Sequence, residues 1–419
     1  MVETVSIIGL GYIGLPTAAA LATQRIKVIG VDVNEAAVAT VNQGKIHIVE
    51  PELDVAVHAA VTRGFLRATT KPEPAEAFLI AVPTPLDSDH EPDLSFIRKA
   101  TAAIAPVLEI GNIVILESTS PVGTTELVSK WLAEARPDLS FPHQNGDASD
   151  IRVAHCPERV LPGQVMYELT HNDRVIGGLT PACSSAARKI YEIFVRGECI
   201  ETDARTAEMC KLTENAARDV SIAFANELSI ICHEENIDVW ELIELANRHP
   251  RINILKPGPG VGGHCIAVDP WFIISRSPNH TPLMQAARSV NDNKPNWIIG
   301  KVEEAVRQLV AGGRRAEDVS IACFGLSFKA DIDDLRESPA LQIALSLAEH
   351  HPGPVLGIEP NISKLPDRIK SNLIFESTEQ ALLSADIYLL LVDHREFRRF
   401  NPALAGKVTI DSRGIWPGR

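Results

Sequence analysis

The chain has 419 residues and a formal net charge of −14 at pH 7; 45% of its residues are hydrophobic and 22% are charged. These values predict a soluble protein of two or three domains, and the negative charge argues against a nucleic-acid or anionic-membrane partner. No stretch reaches the ~20 apolar residues of a membrane span, and the N-terminus lacks a signal-peptide pattern. The seven scattered cysteines never form a Cys-x-x-Cys pair. Their pattern indicates neither a disulfide framework nor a metal site, and it favours a cytoplasmic location.

The first block of the chain alternates short apolar runs with helical stretches. Strands are predicted at 4–8, 27–31, 77–82, 113–117 and 153–156, and helices at 13–23, 94–108 and 124–135. This alternation predicts a doubly wound parallel sheet, and we assign residues 1–203 to one Rossmann-like domain. Residues 138–150 are polar, contain proline and glycine, and are expected to form an exposed loop.

A dinucleotide-binding fingerprint, Gly9-Leu10-Gly11-Tyr12-Ile13-Gly14, follows the first predicted strand directly. Its first glycine allows a tight turn, its second lets the backbone approach a pyrophosphate, and its third lets the helix pack on the strand. Asp32 ends the second strand, where an acid is expected to bind ribose hydroxyls. Because no basic residue directly follows Asp32, NAD is predicted rather than NADP.

Polar residues follow later strands of the same sheet. Pro83 and Thr84 come after one strand, and Thr119 lies in the segment after the next; they are predicted to shape a nicotinamide pocket, although such residues are also common in ordinary turns. Glu158 follows the strand after that. It is either a general base or water-orienting group, or a surface carboxylate paired with Arg159.

The middle of the chain is predicted to be helical, and we assign residues 204–312 to a central all-helical domain. One long helix is expected from 204 to about 236, followed by helices at 239–247 and 284–310. Lys211 and Asn215 share one face of the long helix because they are four residues apart. They could stabilise an oxyanion, or they could belong to an ordinary solvated face.

The strongest local signature is a glycine-rich loop, with glycines at 258, 260, 262 and 263, that leads into Cys265. Glycines such as Gly262 let backbone approach a ligand, and a helix starting after Cys265 would favour its thiolate. Asp269, one turn on, could orient water or Lys211. The alternative is a small buried cysteine in a turn. A hydride acceptor together with a nucleophilic thiol suggests oxidation of an alcohol to an acid through a sulfur-bound aldehyde.

A second α/β block is assigned to residues 313–419, with strands expected near 319–325, 355–358, 387–392 and 408–410. Lys329, Arg336 and Arg413 lie at strand ends or before a helix, and together they suggest a second nucleotide site. The fold class is therefore α/β, with two doubly wound Rossmann-like domains joined by a central helical domain that contains one long helix.

These motifs together resemble the nucleotide-sugar 6-dehydrogenases, the UDP-glucose/UDP-mannuronate dehydrogenase superfamily. The resemblance covers essentially the whole chain, and the stretches 247–253 and 264–272 look most like the UDP-N-acetyl-D-mannosamine dehydrogenases within it. It implies an NAD-dependent enzyme that acts on a UDP-sugar through a thiohemiacetal and a thioester. It also implies a homodimer in which Arg251 reaches the neighbouring subunit's substrate.

The resemblance also implies a role for each candidate residue. Cys265 matches the nucleophile, and its catalytic partners are Lys211, Asn215 and Asp269; Glu158 and Thr119 match residues implicated in thioester hydrolysis. NAD contacts are expected from Gly9, Gly11, Tyr12, Ile13, Gly14, Asp32, Pro83, Thr84, Thr119 and Arg336. Substrate contacts are expected from Glu158, Arg159, Lys211, Asn215, Arg251, Gly262, Lys329 and Arg413.

Several other functions remain open at this point. The same reaction could take UDP-N-acetylglucosamine or UDP-glucose. A two-electron dehydrogenase of the 3-hydroxyacyl or 6-phosphogluconate type would also join a Rossmann domain to a helical one, but it needs neither the thiol nor the last block. A protein that only senses NAD, with Cys265 as a redox switch, is the non-enzymatic alternative.

Overall fold

The computed structural model describes residues 2–48, 50–160, 163–263, 265–366, 369, 371–401 and 406–416. The chain divides into two compact units. One contains Met1–Glu214 and Trp271–Arg276, and the other contains Asn215–Pro270 and Ser277–Arg419. Within the described residues, no helix is both long and apolar enough to cross a bilayer.

The first unit is built on an eight-stranded sheet. Its strands are β1 Thr4–Ile8, β2 Lys27–Val31, β3 Leu66–Thr69, β4 Ala77–Ile80, β5 Ile113–Leu116, β6 Arg152–His155, β7 Arg174–Gly178 and β8 Cys199–Asp203. Their order is β3-β2-β1-β4-β5-β6-β7-β8, and every neighbouring pair is parallel except β6 with β7. All five strands predicted in this unit are confirmed, whereas β3, β7 and β8 were missed.

Helices cover both faces of this sheet, as expected for a doubly wound fold. They are α1 Gly14–Thr23, α2 Glu35–Asn42, α3 Leu53–Thr62, α4 Ser95–Ile104, α5 Thr124–Ala135, α6 Pro142–Asn145, α7 Val165–His171 and α8 Pro181–Tyr191. Alternate residues of β1 serve opposite faces: Ile7 joins the core that contains Leu15 of α1, while Ile8 joins the core that contains Leu132 of α5. Continuous apolar strands bury both sides, which is typical of parallel sheets.

The expectation of an exposed loop at 138–150 is wrong. The segment contains the short helix α6, and Phe141 is fully buried in the core beside Leu132 and Val153. The Asp150 carboxylate accepts hydrogen bonds from both the backbone and the hydroxyl of Ser140, which joins the ends of the segment. Burial of one aromatic ring outweighed the polar composition because it removes a large apolar area from water.

The predicted long helix is confirmed as α9, Ala204–Glu234, which continues from the first unit into the second. The remaining central helices are α10 Val239–Ala246, α11 Asp269–Arg276 and α12 Pro282–Ala311. The absence of proline and glycine between 204 and 234 lets α9 run uninterrupted, since these residues are the strongest helix breakers.

The second unit contains a five-stranded, fully parallel sheet. Its strands are β9 Ile321–Phe324, β10 Val355–Ile358, β11 Ile374–Phe375, β12 Ile387–Leu390 and β13 Val408–Asp411, and their order is β11-β10-β9-β12-β13. The helices α13 Pro339–His350 and α14 Thr378–Ser384 complete this block. The predicted α/β class, with two Rossmann-like sheets and a helical centre, is confirmed.

Candidate functional site

The glycine fingerprint in the first unit forms a tight turn between β1 and α1. Gly9 has a φ of +97°, and a Cβ there would lie 2.6 Å from the carbonyl oxygen of Ala81. A Cβ on Gly14 would lie 1.9 Å from the carbonyl oxygen of Gly9, whereas a Cβ on Gly11 would meet nothing within 4 Å. The outer glycines are therefore required by the fold, and Gly11 is exposed at the open side of the turn.

The start of α1 fits a phosphate group. The N-cap residue of this helix, Ile13, makes no side-chain hydrogen bond to its first turn, and both Tyr12 and Ile13 are half-buried. Uncapped N–H groups and the helix dipole attract anions at this position.

Asp32 lies at the end of β2 and is fixed by backbone donors. Its Oδ2 accepts from the N–H of Leu10 at 2.9 Å, and its Oδ1 accepts from the N–H of Asn34 at 2.9 Å. The carboxylate thus connects the fingerprint turn to the second strand, at the position where this fold binds ribose. The turn, the uncapped helix start and the acid together fit a dinucleotide.

The segments after β4 and β5 carry the predicted pocket residues. Pro83 is exposed, and Thr84 and Thr119 are half-buried. Ser118 donates its hydroxyl to the Val82 carbonyl at 2.7 Å, which joins the two segments. Among the described residues, the enclosed hydroxyl of Thr84 has no hydrogen-bond partner. A buried polar atom of this kind is usually satisfied by something else, and a ligand amide or water is suited to it.

Glu158, after β6, belongs to a buried ion pair rather than to a surface pair. Its Oε2 lies 2.5 Å from Nη1 of Arg174, and the two side chains are 5% and 2% exposed. Arg159 instead pairs with Glu214, with 2.6 Å between Nη2 and Oε1. The alternative in which Glu158 is a surface carboxylate paired with Arg159 is wrong, because β7 places Arg174 beneath it.

A second buried carboxyl accompanies this ion pair. Oε1 of Glu117 accepts the Tyr191 hydroxyl at 2.8 Å, and the Tyr191 ring lies 5.7 Å from the guanidinium carbon of Arg174. Burial, reinforced by the negative charge of Glu158, raises the pKa of Glu117 to about 7. Neither Arg174 nor Tyr191 could be found from the sequence, since nothing local marks them as partners of Glu158.

The segment of α9 in the first unit carries Lys211, which is buried with 8% exposure. A solvated face is therefore wrong for this lysine. Glu208, one turn earlier, accepts hydrogen bonds from the N–H of Gly123 at 2.6 Å and from the N–H and hydroxyl of Thr125 at 2.7 and 2.6 Å. These bonds fix the start of α9 to the N-terminus of α5.

In the second unit, Asn215 and Asp269 are in contact. Nδ2 of Asn215 donates to Oδ2 of Asp269, which is only 3% exposed. Cys265 is exposed and lies in a turn, because its carbonyl accepts from the N–H groups of Val268 and Asp269 at 3.1 and 2.8 Å. The helix expected after Cys265 begins only at Asp269, while His264 lies outside the described residues.

The glycine-rich loop packs closely on the second α/β block. A Cβ on Gly262 would lie 2.5 Å from the carbonyl oxygen of Glu337, and one on Gly258 would lie 2.5 Å from Nη1 of Arg413. On Gly263, where φ is +84°, it would meet the Phe328 ring at 3.1 Å. These glycines serve close packing inside the unit, a role that the sequence did not reveal because their partners are distant along the chain.

The basic residues of the second unit have distinct surroundings. Lys329 and Arg251 are exposed. Arg336 forms a two-pronged ion pair with Asp334, with Nη2 2.6 Å from Oδ2. Arg413 pairs with Asp393, with Nη2 2.8 Å from Oδ1. Three basic side chains at strand ends thus remain near the surface, two of them held by carboxylates.

The chain matches three family models in succession. Residues 3–195 match the NAD binding domain of the UDP-glucose/GDP-mannose dehydrogenase family, residues 205–293 its central domain, and residues 322–418 its UDP binding domain. The NAD cofactor predicted from the fingerprint is confirmed, as is a domain for a UDP-linked ligand.

Curated relatives match over almost the full length. The chain is 61% identical over 416 residues to a UDP-N-acetyl-D-mannosamine dehydrogenase of Yersinia pestis, covering 99% of both chains. It is also 61% identical over 418 residues to an NDP-N-acetyl-D-galactosaminuronic acid dehydrogenase of Ralstonia nicotianae, covering 100% of this chain and 97% of that one.

Solved structures of related enzymes have a similar fold over nearly the whole chain. A UDP-D-ManNAc dehydrogenase from Pyrococcus horikoshii has a TM-score of 0.90 at 36% identity, with 99% of this chain and 96% of that chain covered. The UDP-N-acetyl-mannosamine dehydrogenase Cap5O of Staphylococcus aureus gives a TM-score of 0.85 at 38% identity, with the same coverage. The chain therefore belongs to the UDP-glucose/GDP-mannose dehydrogenase family, and it is an NAD-dependent nucleotide-sugar dehydrogenase.

Proposed function

We propose that the protein oxidises C6 of UDP-N-acetylmannosamine from an alcohol to a carboxylate in two steps, producing two NADH per acid. The observation that carries this proposal is Cys265. It is the exposed cysteine of the chain, whereas five others are buried and Cys210 is half-buried. A dehydrogenase that stops at an aldehyde or ketone has no use for an accessible thiol at the end of a glycine-rich loop. The names of the Yersinia and Pyrococcus relatives support the choice of sugar.

In the proposed chemistry, the first oxidation is followed by covalent capture of its product. NAD, when bound, accepts one hydride in each of the two oxidations. The Cys265 sulfur adds to the aldehyde carbon of the first product, a C–S bond forms, and the carbonyl oxygen becomes an oxyanion. Lys211 and Asn215 are proposed to stabilise that oxyanion by charge and hydrogen bonding. Capture divides a difficult conversion into easier steps and retains the reactive aldehyde.

Hydrolysis then releases the product. The second oxidation leaves a thioester on Cys265, and a water molecule attacks its carbonyl carbon. Glu158 is proposed to accept a proton from that water, with Thr119 and Asp269 helping to orient it. The C–S bond breaks, the sulfur leaves as a thiolate, and the new acid loses its remaining proton to solvent.

A second candidate substrate is a UDP-N-acetylgalactosamine-type sugar. The Ralstonia relative, whose printed name refers to N-acetyl-D-galactosaminuronic acid, is as similar to this chain as the Yersinia relative. The two sugars differ only in ring stereochemistry and carry the same C6 alcohol. The same residues would therefore serve either reaction.

Absorbance at 340 nm tests the proposal. The protein is incubated with NAD and, separately, with the UDP-linked N-acetylated mannosamine, galactosamine and glucosamine sugars and with UDP-glucose. The proposal expects the mannosamine sugar to give the highest kcat/KM and two NADH per acid. One NADH per sugar, with free aldehyde or ketone as product, would contradict it, and a preference for the galactosamine sugar would establish the second candidate.

Cysteine variants test the covalent step. Cys265→Ala should abolish acid formation, and Cys265→Ser should accumulate an ester-linked sugar that intact-protein mass spectrometry detects. Cys210→Ala is the matched control, since it removes the half-buried thiol and should retain activity. Full acid formation by Cys265→Ala would end the scheme.

We also propose that the enzyme is a homodimer in which Arg251 acts on the substrate of the neighbouring subunit. The family resemblance and the exposure of Arg251 support this proposal. If it holds, mixing Arg251→Ala subunits with Cys265→Ala subunits should restore activity, because one mixed site regains both residues. Failure of refolded mixtures to exceed either parent would contradict it.

A further inference from the structure

The ion pair between Glu158 and Arg174 lies inside the first unit and is largely buried. The side chains are 5% and 2% exposed, and Oε2 lies 2.5 Å from Nη1. Nη2 of Arg174 donates to the Leu169 carbonyl at 2.9 Å, which fixes the guanidinium plane. A carboxylate joined to a guanidinium held in this way has one preferred orientation.

The backbone adds a second constraint on Glu158. Its other oxygen, Oε1, accepts from the N–H of Arg159 at 2.6 Å. Both carboxylate oxygens therefore have donors, and neither donor is a mobile surface side chain. Desolvation alone would destabilise such a buried charge, so Arg174 is the group that compensates for it.

The groups around the ion pair leave Arg174 positively charged. Burial acts to lower the pKa of Arg174, but the charge and hydrogen bond of Glu158, together with the nearby Cys156 and Tyr191, more than offset it, and the pKa is raised. The neighbouring groups from each packed element are the Cys156 thiol on the β6 side, Glu117 after β5 and Tyr191 at the end of α8. Burial raises the pKa of Cys156 and Tyr191, so both stay neutral, and Glu117 is protonated below pH 7.

We propose that Arg174 is a positioning residue for Glu158: it holds that carboxylate in one orientation, ready to accept a proton from the water that releases the product acid. This inference rests on the proposed function. In this proposal, Glu158 takes the proton and Arg174 orients Glu158 for that step. In the hydrolysis step, the water oxygen bonds to the thioester carbon, its proton passes to Glu158, and the Cys265–carbon bond breaks. Arg174 exchanges no proton.

The arrangement makes a specific kinetic prediction. Removing Arg174 should slow hydrolysis without slowing the two oxidations, because those steps use Cys265, Lys211 and Asn215. A covalent acyl–enzyme should then accumulate. A purely structural role would lower all steps together or lower only the amount of folded protein.

The experiment compares three variants of the full chain with the wild type. Arg174→Met removes the charge, Arg174→Lys keeps the charge but loses the fork, and Arg188→Met deletes an arginine of a surface ion pair on α8, where Arg188 and Glu192 are each 47% exposed. Each is mixed with NAD and the UDP-sugar that the wild type oxidises fastest. The rate of the NADH burst, the mass of acid-quenched protein and the pH profile of steady-state turnover are measured.

We expect Arg174→Met to keep the burst of about two NADH per site, lose on the order of 100-fold in turnover, and show the mass of a bound sugar acid on the protein. Arg174→Lys should lose roughly tenfold, and its turnover should fall off at a higher pH on the acid side than that of the wild type. KM should change less than kcat in both, and Arg188→Met should match the wild type.

Two results would overturn the inference. One is Arg174→Met turning over at the wild-type rate with an unchanged pH profile. The other comes from Arg174→Lys and is needed if Arg174→Met does not fold. In that variant, an equal loss in the NADH burst and in turnover, with no adduct and no shift in the pH profile, would contradict a positioning role. A wild type that forms no acid from any UDP-sugar would overturn the proposed function as well, whereas wild-type acid formation confines the failure to Arg174.

Discussion

Nδ2 of Asn215 donates a hydrogen bond to Oδ2 of Asp269, and so joins two side chains that are 54 positions apart in the sequence. One residue lies on α9 and the other begins α11, in the turn that follows Cys265. The bond fixes which end of the Asn215 amide faces the carboxylate. The sequence alone left open whether Asp269 orients water or Lys211. In the structure, Asp269 accepts a hydrogen bond from Asn215.

We expect Asp269→Asn to fold normally and to lose activity. The substitution keeps an acceptor oxygen for Asn215 but removes the negative charge, so the thermal midpoint should change by only a few degrees. Turnover should fall by roughly 10- to 1000-fold if the charge serves catalysis. Steady-state kinetics and thermal unfolding measure the two effects. Unchanged turnover would show that Asp269 acts only as an acceptor that holds Asn215.

Gly11 and Gly14 should respond differently to a methyl group. Gly14→Ala is expected to destabilise the fold strongly, since its Cβ would lie 1.9 Å from the Gly9 carbonyl oxygen. Gly11→Ala should fold almost as well as the wild type, because nothing lies within 4 Å of its Cβ, yet it should weaken NAD binding at least tenfold by entering the space of the pyrophosphate. Urea unfolding and NAD titration separate these outcomes. Wild-type NAD affinity in Gly11→Ala would argue against this cradle.

Glu208 should contribute to stability rather than to chemistry. Glu208→Ala leaves the buried N–H groups of Gly123 and Thr125 without their acceptor and should lower the free energy of unfolding by about 3 kcal/mol. Glu126→Ala is the matched control, because its ion pair with Arg205 is partly exposed and should be worth less than about 1 kcal/mol. Chemical denaturation measures both. Equal losses in the two variants would be inconsistent with the buried network.

Lys294 on α12 should make stability depend on pH. Burial lowers its pKa to about 7, with its Nζ 2.5 Å from the Ser229 hydroxyl and 4.1 Å from the Trp297 ring centre. Because the folded-state pKa lies below the usual lysine value, the unfolded chain binds the proton more readily. This lysine therefore lowers stability progressively as pH falls from about 10.5 toward 7.

The gain in unfolding free energy on Lys294→Met should accordingly be larger at pH 6.5 than at pH 9.5, by roughly 2–3 kcal/mol. Urea unfolding of both proteins at the two pH values measures the difference. Lys301→Met is the control, since Lys301 lies near the same tryptophan but is 26% exposed. A difference that does not change with pH would mean that Lys294 titrates normally.

The sequence by itself determined the features whose causes are local. The fingerprint turn, the first strands and α9 depend on glycine positions, apolar runs and an uninterrupted helical stretch, all of which act over a few residues. The same local pattern marked Cys265 and its glycine-rich approach. The α/β class followed because alternating strands and helices have few ways to bury both of their apolar faces.

Only the tertiary structure decided which residues meet. Arg174 became the partner of Glu158 because β7 lies beside β6, and Phe141 became core because the extended backbone before α6 places it in the cluster with Leu132 and Val153. Gly258 and Gly262 serve close packing because Arg413 and Glu337 approach them from distant parts of the chain. Such contacts depend on strand order and register rather than on neighbouring residues. A single sequence contains the side chains that form them, but no local pattern says which side chains will come together.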